Sequence, residues 1–284
     1  MRISADTVKE RQIMRVIRII VSILFTVSLV LYGFVYFTNN KDATIPRLKC
    51  DVQIIETSVK SDDAQILSHV TAYDKKEGDL TDSVIVEKVS AFVDFGKVNV
   101  TFAVCDSDKN VSKITVPVVY TDYQNPRFKL LDDLVFQASG AANVKDCITV
   151  SDTIDGDITE RLIVIDNGAD TTVPGRYPLT LKVTNSKSFT YTTDIDLIIV
   201  DNLEAGYSIE LKEYMIYKKI GETVDYNSYI KSASVPYGKN ENYDIEIDSS
   251  EVNETEAGVY NVFYYQKIDG ETKTVSRLIV CNEE

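Results

Sequence analysis

The chain has no tryptophan, one histidine, four cysteines, six prolines and twelve glycines in 284 residues. Each scarcity excludes something. A single His69 leaves little for histidine-based zinc binding or general-base catalysis, and no Cys-x-x-Cys spacing offers a sulfur alternative. Four cysteines are too few for a disulfide-dense scaffold. The glycine and proline counts exclude collagen-like and low-complexity classes, and a hydrophobic fraction of 44% excludes disorder. Gly-x-Ser-x-Gly, His-Glu-x-x-His, P-loop and Gly-x-Gly-x-x-Gly patterns do not occur, so an enzyme is not expected. Long apolar runs are missing as well, with one exception.

That exception is Ile19 to Phe37, 19 residues without a charge. As a helix it would be about 28 Å long, close to the roughly 30 Å hydrocarbon core of a bilayer. Tyr32 and Tyr36 fall near its far end, where aromatic rings favour the interface. Arg11, Arg15 and Arg18 precede it, which by the positive-inside rule places the N-terminus in the cytoplasm. A cleaved signal peptide would carry a shorter apolar region and a small-x-small site. Here Thr38-Asn39-Asn40-Lys41-Asp42 follows instead. The expectation is a cytoplasmic basic tail over 1–18, a signal anchor over 19–37 that makes membrane lipid its first partner, and a linker over 38–44. The protein is then single-pass in the cell membrane, with the remainder extracellular.

Charge supports that division. Residues 1–37 carry a net +3, while the rest holds 25 basic and 42 acidic groups. A body this acidic repels phosphate backbones, so nucleic acid is not an expected partner.

Beyond residue 45 the chain repeats itself. Ala72-Tyr73-Asp74-Lys75-Lys76-Glu77-Gly78-Asp79-Leu80-Thr81 aligns with Val150-Ser151-Asp152-Thr153-Ile154-Asp155-Gly156-Asp157-Ile158-Thr159 at an offset of 78. Pro46-Arg47-Leu48-Lys49 matches Pro126-Arg127-Phe128-Lys129 at 80, and Gly96 matches Gly175 at 79. A weaker third copy shares Gly258-Val259-Tyr260 and a closing Val-rich strand but lacks the Asp-Gly-Asp signature. Within each copy, apolar residues alternate with polar ones, as at Val98, Val100, Phe102 and Val104 or Tyr177, Leu179, Leu181 and Val183, the period of half-buried strands. No stretch there sustains a 3.6-residue apolar period. Repeats of about 80 residues with this spacing predict small antiparallel sandwiches at 45–122, 123–201 and, diverged, 202–284.

The order Pro-x-apolar, Asp-x-x-Asp-Gly-Asp-Ile-Thr, Gly-x-Tyr-x-apolar and a closing Val-rich strand resembles the bacterial surface-protein Ig-like repeat of Gram-positive envelope proteins. Residues 126–201 match best. The first copy departs at Glu77 and Val98, where the family shows Asp and Tyr, and the third keeps only the second half. The resemblance implies an all-β chain of tandem Ig-like β-sandwiches behind one transmembrane helix. For function it implies surface display only, because one fold hosts many functions.

Three groups of residues carry chemistry. Asp152, Asp155 and Asp157 put three carboxylates within six residues, hard oxygen ligands suited to calcium. Their spacing is not that of an EF-hand. The competing reading, which the local sequence favours, is a tight Asp-Gly turn whose Asp and Thr side chains cap backbone amides. Asp106 and Asp108 form a second cluster, and Tyr120-Thr121-Asp122-Tyr123-Gln124-Asn125-Pro126 is loosely similar to calcium-stiffened cadherin linkers. No other cofactor is expected. Ten of 17 tyrosines lie between Tyr207 and Tyr265. Tyr214, Tyr217, Tyr226, Tyr229, Tyr237 and Tyr243 sit in irregular sequence, where exposed rings would suit a protein or cell-wall glycan ligand. Tyr177 and Tyr260 are expected to pack their rings and bond backbone through the hydroxyl, as in Ig corners. Cys50 and Cys105 fall on the first and penultimate core strands of the first copy, where either a disulfide or two thiols would fit; Cys147 and Cys281 read as small buried hydrophobes. The function expected is non-enzymatic display of Ig-like modules for binding, adhesion or spacing. The alternatives are a scaffold for an envelope complex and a calcium-stiffened adhesion stalk.

Overall fold

The computed structural model describes residues 5–39, 44–166, 168–238 and 242–284. Helix α1 spans Ala5–Asn39 without interruption, so the basic stretch continues into the apolar one. At 1.5 Å per residue its 35 residues reach about 52 Å, more than a bilayer core requires. Leu24, Phe25, Val30, Phe34 and Phe37 all point outward and exposed. Residues 9–37 form the one helix among the described residues that is long and apolar enough to cross a membrane, with a mean hydropathy of 2.3. Among its internal hydroxyls, that of Thr26 is satisfied locally, donating back to the carbonyl of Ile23 at 2.8 Å.

Everything else is short strand. The first copy contains β1 (Arg47–Cys50), β2 (Ile55–Thr57), a one-turn helix α2 (Asp63–Leu67), β3 (Val70–Asp74), β4 (Gly78–Asp79), β5 (Ile85–Val89), β6 (Lys97–Cys105) and β7 (Val111–Tyr120). The second contains β8 (Arg127–Leu130), β9 (Val135–Gln137), β10 (Ile148–Asp152), β11 (Gly156–Asp157), β12 (Ile163–Asp166), β13 (Gly175–Thr184) and β14 (Thr190–Val200). The third contains β15 (Ser208–Leu211), β16 (Met215–Lys219), β17 (Ile230–Ser234), β18 (Asp244–Asp248), β19 (Gly258–Ile268) and β20 (Glu271–Glu283).

The strand orders repeat as the sequence does. One sheet runs β1-β3-β4, then β8-β10-β11, then β15-β17 in successive copies; the other runs β2-β7-β6-β5, β9-β14-β13-β12 and β16-β20-β19-β18. Each copy also adds one parallel pair to an otherwise antiparallel pattern, β2 with β7, β9 with β14 and β16 with β20. The missing signature of the third copy has a direct consequence. Gly78–Asp79 and Gly156–Asp157 are the third strands of their sheets, and without an Asp-Gly-Asp the β15-β17 sheet has no such strand among the described residues.

The chain divides into two compact units, one of residues 1–53, 63–88 and 101–116, the other of residues 54–62, 89–100 and 117–284. Strands β6 and β7 run through both. In the first unit Ile66, Val70, Ala72, Val84, Phe102 and Val104 are buried. In the second, Phe128, Leu130, Leu134, Ile148, Val150, Leu181 and Val183 build the core of the second copy, which extends without a break into Met215, Ile279 and Cys281 of the third. A separate cluster of Ile209, Leu211, Val262, Tyr264, Leu278 and Val280 fills the sandwich of the third copy.

The expected tyrosine corners form. The Tyr177 hydroxyl donates to the Val173 carbonyl at 2.8 Å, and Tyr260 does the same to Glu256 at 3.3 Å. A Cβ at Gly175 would touch the Tyr177 ring at 3.4 Å, and one at Gly258 would meet the Tyr260 hydroxyl at 3.0 Å. The close ring disfavours a side chain at Gly258, whereas at Gly175 a Cβ would make an ordinary contact. Gly96, where Val98 replaces the tyrosine, is required instead by its φ of +65°.

Candidate functional site

The acidic turn of the second copy is a closed hydrogen-bond circuit. Asp152, at the end of β10, is buried. Its Oδ1 accepts from the amides of Ile154 (2.9 Å) and Asp155 (3.0 Å), which folds the turn. Its Oδ2 faces two donors, Asn185 Nδ2 at 3.2 Å and the Tyr123 hydroxyl at 3.3 Å. Asp155 accepts from the amide and hydroxyl of Ser186 and from Arg161. Burial acts to raise the Asp155 pKa, but the Ser186 donors and the guanidinium together hold it below the ordinary carboxylate value. Asp157 Oδ1 caps the amide of Thr159 at 2.9 Å, and the Thr159 hydroxyl and amide hold its pKa low. The three carboxylates are thus neighbours in sequence aimed at separate donors. Among the described residues no three His, Cys, Asp or Glu side chains converge as a metal-binding group.

Tyr123 has a second role. Its ring is buried, with Phe92 edge-on at 4.8 Å between centroids, Phe95 at 5.1 Å and Phe189 at 5.8 Å. The Phe92 amide donates to the Lys187 carbonyl at 2.9 Å. Residues 92–95 are therefore fastened to the β13–β14 turn by aromatic contact, with the hydroxyl of the same tyrosine reaching the Asp152 circuit. Burial first, then the Asp152 charge, raise the Tyr123 pKa. The linker aspartate Asp122 is occupied too, accepting from the Ser58 hydroxyl at 2.5 Å and the Val59 amide at 2.8 Å.

A second joint locks the third copy onto the second. Arg277 of β20 is completely buried. It donates through Nε to the Asp133 carbonyl (3.2 Å), and through one terminal nitrogen to the Asp196 carbonyl (2.8 Å) and Asn261 Oδ1 (3.4 Å). Burial lowers its pKa to about 10, while Asp133 and Asp196 pull it back upward. The Tyr217 hydroxyl inserts into β8, accepting from the Phe128 amide at 2.9 Å and donating to the Phe128 carbonyl at 3.1 Å. The Arg127 guanidinium lies 4.1 Å above the Tyr217 ring and pairs with Glu283.

The six tyrosines of the third copy do not form one surface. Tyr214 and Tyr217 pack against the shared core, and Tyr226 and Tyr229 against the third sandwich. Only Tyr237 and Tyr243 are exposed. Alternation around β16 and the 226–229 turn is too short to be legible, which is why these rings look irregular in sequence. All four cysteines are thiols, Cys281 the most buried, and burial pushes its pKa up to about 12. Sequence reasoning missed Tyr123, Asn185 and Arg277. Tyr123 was detectable as a tyrosine at a repeat boundary; nothing marks Asn185, in the β13–β14 turn, as a partner of Asp152, or Arg277 as buried.

No family model matches the sequence, and no curated protein does. Among solved structures, the chain is similar to the CBM51-2, in complex with GlcNAc, and INT domains of Clostridium perfringens ZmpB. That match has 16% identity and a TM-score of 0.22, over 84% of this chain and 42% of that one. Domains 4–9 of the surface layer protein SbsC share 13% identity at a TM-score of 0.22, over 84% and 50% of the two chains. Drosophila N-cadherin EC1-4 shares 11% at 0.23, over 84% and 76%. The chain spans under half of the ZmpB fragment, and no residue role transfers at these values. The chain is an all-β protein of tandem Ig-like sandwiches behind one apolar helix.

Proposed function

We propose that this protein is a non-enzymatic, membrane-anchored extracellular protein of the bacterial surface-protein Ig-like type, and that its sandwiches act as a spacer or scaffold at the cell envelope. The N-terminus is cytoplasmic and residues 38–284 lie outside. The observation that carries the scaffold reading is the use of side chains. Polar and aromatic groups that could have faced a ligand, among them Tyr123, Tyr214, Tyr217 and Arg277, are spent on joining one sandwich to the next. Side chains committed to joints between sandwiches suit a spacer or scaffold better than a ligand-binding face.

A binding or adhesion role for the third copy rests on Tyr237 and Tyr243, the two exposed rings of the six. Deleting residues 203–284 does not separate the readings cleanly, because it would uncover the core shared with Met215, Ile279 and Cys281. The double variant Y237A/Y243A does, since both side chains are exposed. Crosslinking of the full-length tagged protein on intact cells, followed by mass spectrometry, is expected to capture a defined set of membrane proteins equally from wild type and variant. Capture of wall glycan or foreign surface molecules, lost in the variant, would replace the scaffold by an adhesin.

A further inference from the structure

The acidic turn recurs in the first copy with one change that alters its chemistry. Asp74 occupies the place of Asp152, and its Oδ1 folds the turn in the same way, accepting from the amides of Lys76 (2.7 Å) and Glu77 (3.0 Å). Its Oδ2 therefore points where Asp152 Oδ2 points. In the second copy that oxygen meets the amide nitrogen of Asn185 at 3.2 Å. The residue at the Asn185 position of the first copy, 79 earlier, is Asp106. The correspondence holds in detail: Asn185 Oδ1 accepts from the Phe189 amide at 3.0 Å, and Asp106 Oδ1 from the amide of Asn110, the residue equivalent to Phe189, at 2.7 Å. The counterpart of Tyr123 is Thr44, whose shorter side chain does not bond Asp74 Oδ2.

The position that supplies a donor to the carboxylate in the second copy thus holds a carboxylate in the first. Asp74 is 1% exposed and Asp106 6%, and Asp74 Oδ2 is buried with no hydrogen-bond partner. Asp106 Oδ2 accepts from Asn110 Nδ2 at 2.7 Å, and that same nitrogen reaches the Thr44 carbonyl at 3.2 Å. The rim is acidic as well, with Glu77 tied to Ser107 and Asp108 to Lys76. Buried carboxylates close to one another repel unless a proton or a cation is shared between them.

We infer that the Asp74–Asp106 pair at this end of the first copy binds a hard divalent cation of the calcium class. Paired carboxylate oxygens neutralise the ion, and carbonyl and water oxygens complete a shell of 6–8 ligands in the manner of calcium sites. With only two carboxylates the site belongs to the weak extracellular range, with Kd of about 0.1–1 mM. The sequence had directed attention to Asp152, Asp155 and Asp157, but in that turn Asn185 and Tyr123 already serve the carboxylate.

The test is calorimetric titration of CaCl2 into the full chain in detergent after chelator treatment, alongside thermal melts. Wild type is expected to bind one calcium and to melt higher in millimolar calcium. D106N rebuilds the donor that the second copy uses, so it should fold, lose the calcium response and match or exceed the calcium-free wild type in melting temperature. D152N should bind as wild type does. No heat and no melting shift in wild type at about ten times the expected Kd would overturn the site. So would binding that survives in D106N, or binding lost in D152N.

Discussion

At the scale of the residue, the informative positions are buried polar groups whose partners are other buried groups. Asp133, half-buried against them, behaves alike: desolvation pushes its carboxyl up to about 6, although its bond from the Val135 amide and the nearby Arg277 act to lower it. A carboxyl with a folded-state pKa above its ordinary value keeps its proton longer in the native state. Its contribution to stability is full below about pH 4 and is lost as the pH rises through about 6. D133N preserves an acceptor for the Val135 amide and removes the titration. Denaturant melts at pH 4 and pH 7 should show a smaller drop across that interval for D133N than for wild type, and an equal drop would refute the assignment. Tyr123 gives a second test. Y123F keeps the ring cluster but takes one donor from the buried Asp152 carboxylate, and is expected to cost about 1–2 kcal/mol in urea unfolding.

At the scale of the element, β16 and β20 belong to the third copy by sequence and in part to the second by packing. Met215, Ile279 and Cys281 sit in the core of the second sandwich, while Ile216, Leu278 and Val280, on alternate positions, fill the third. Alternation is the expected signature of a strand with one buried face. Here both faces are buried, so β20 shows a run of buried residues from Ser276 to Asn282. Ile279→Ala should cost about 2–4 kcal/mol. Because β16 and β20 contribute residues to both cores, calorimetry should show a single transition for these two copies moving down, where sandwiches sharing no strand would split into two. The strand repeat, the tyrosine corners and the missing third strand of the last copy were legible in the sequence because each depends on local chemistry: alternation, a Gly-x-Tyr spacing, an Asp-Gly turn. The double-faced β20 was not, because its second neighbour is set by how whole sandwiches meet.

At the scale of the whole molecule, the exposed apolar helix makes a prediction independent of the sandwiches. Leu24, Phe25, Val30 and Phe34 present a surface that water does not tolerate at this length. The full chain is expected in the membrane fraction and resistant to carbonate and high salt, whereas removal of residues 1–44 should release it to the soluble fraction. Recovery of the full chain as a salt-extractable protein would count against a spanning helix. Protease added to intact cells should digest epitopes in residues 45–284 and spare one placed before residue 9, if the N-terminus is cytoplasmic.

What the sequence determined by itself is whatever nearest neighbours along the chain enforce. An uncharged run makes a helix too apolar for water, period-two alternation makes strands, and Asp, Gly and Thr at fixed offsets make the same turn twice. The tertiary structure decided what those turns and strands face. Asn185 satisfies one buried carboxylate oxygen whereas the equivalent oxygen of Asp74 has no partner, although the two turns look nearly alike in sequence, because the partner comes from a turn 33 residues away. It also decided that tyrosines at 214, 217, 226 and 229 pack inward and that Arg277 is buried against backbone carbonyls. Burial is a property of the assembled sheets, and no local pattern encodes which of two exposed-looking faces will find a partner.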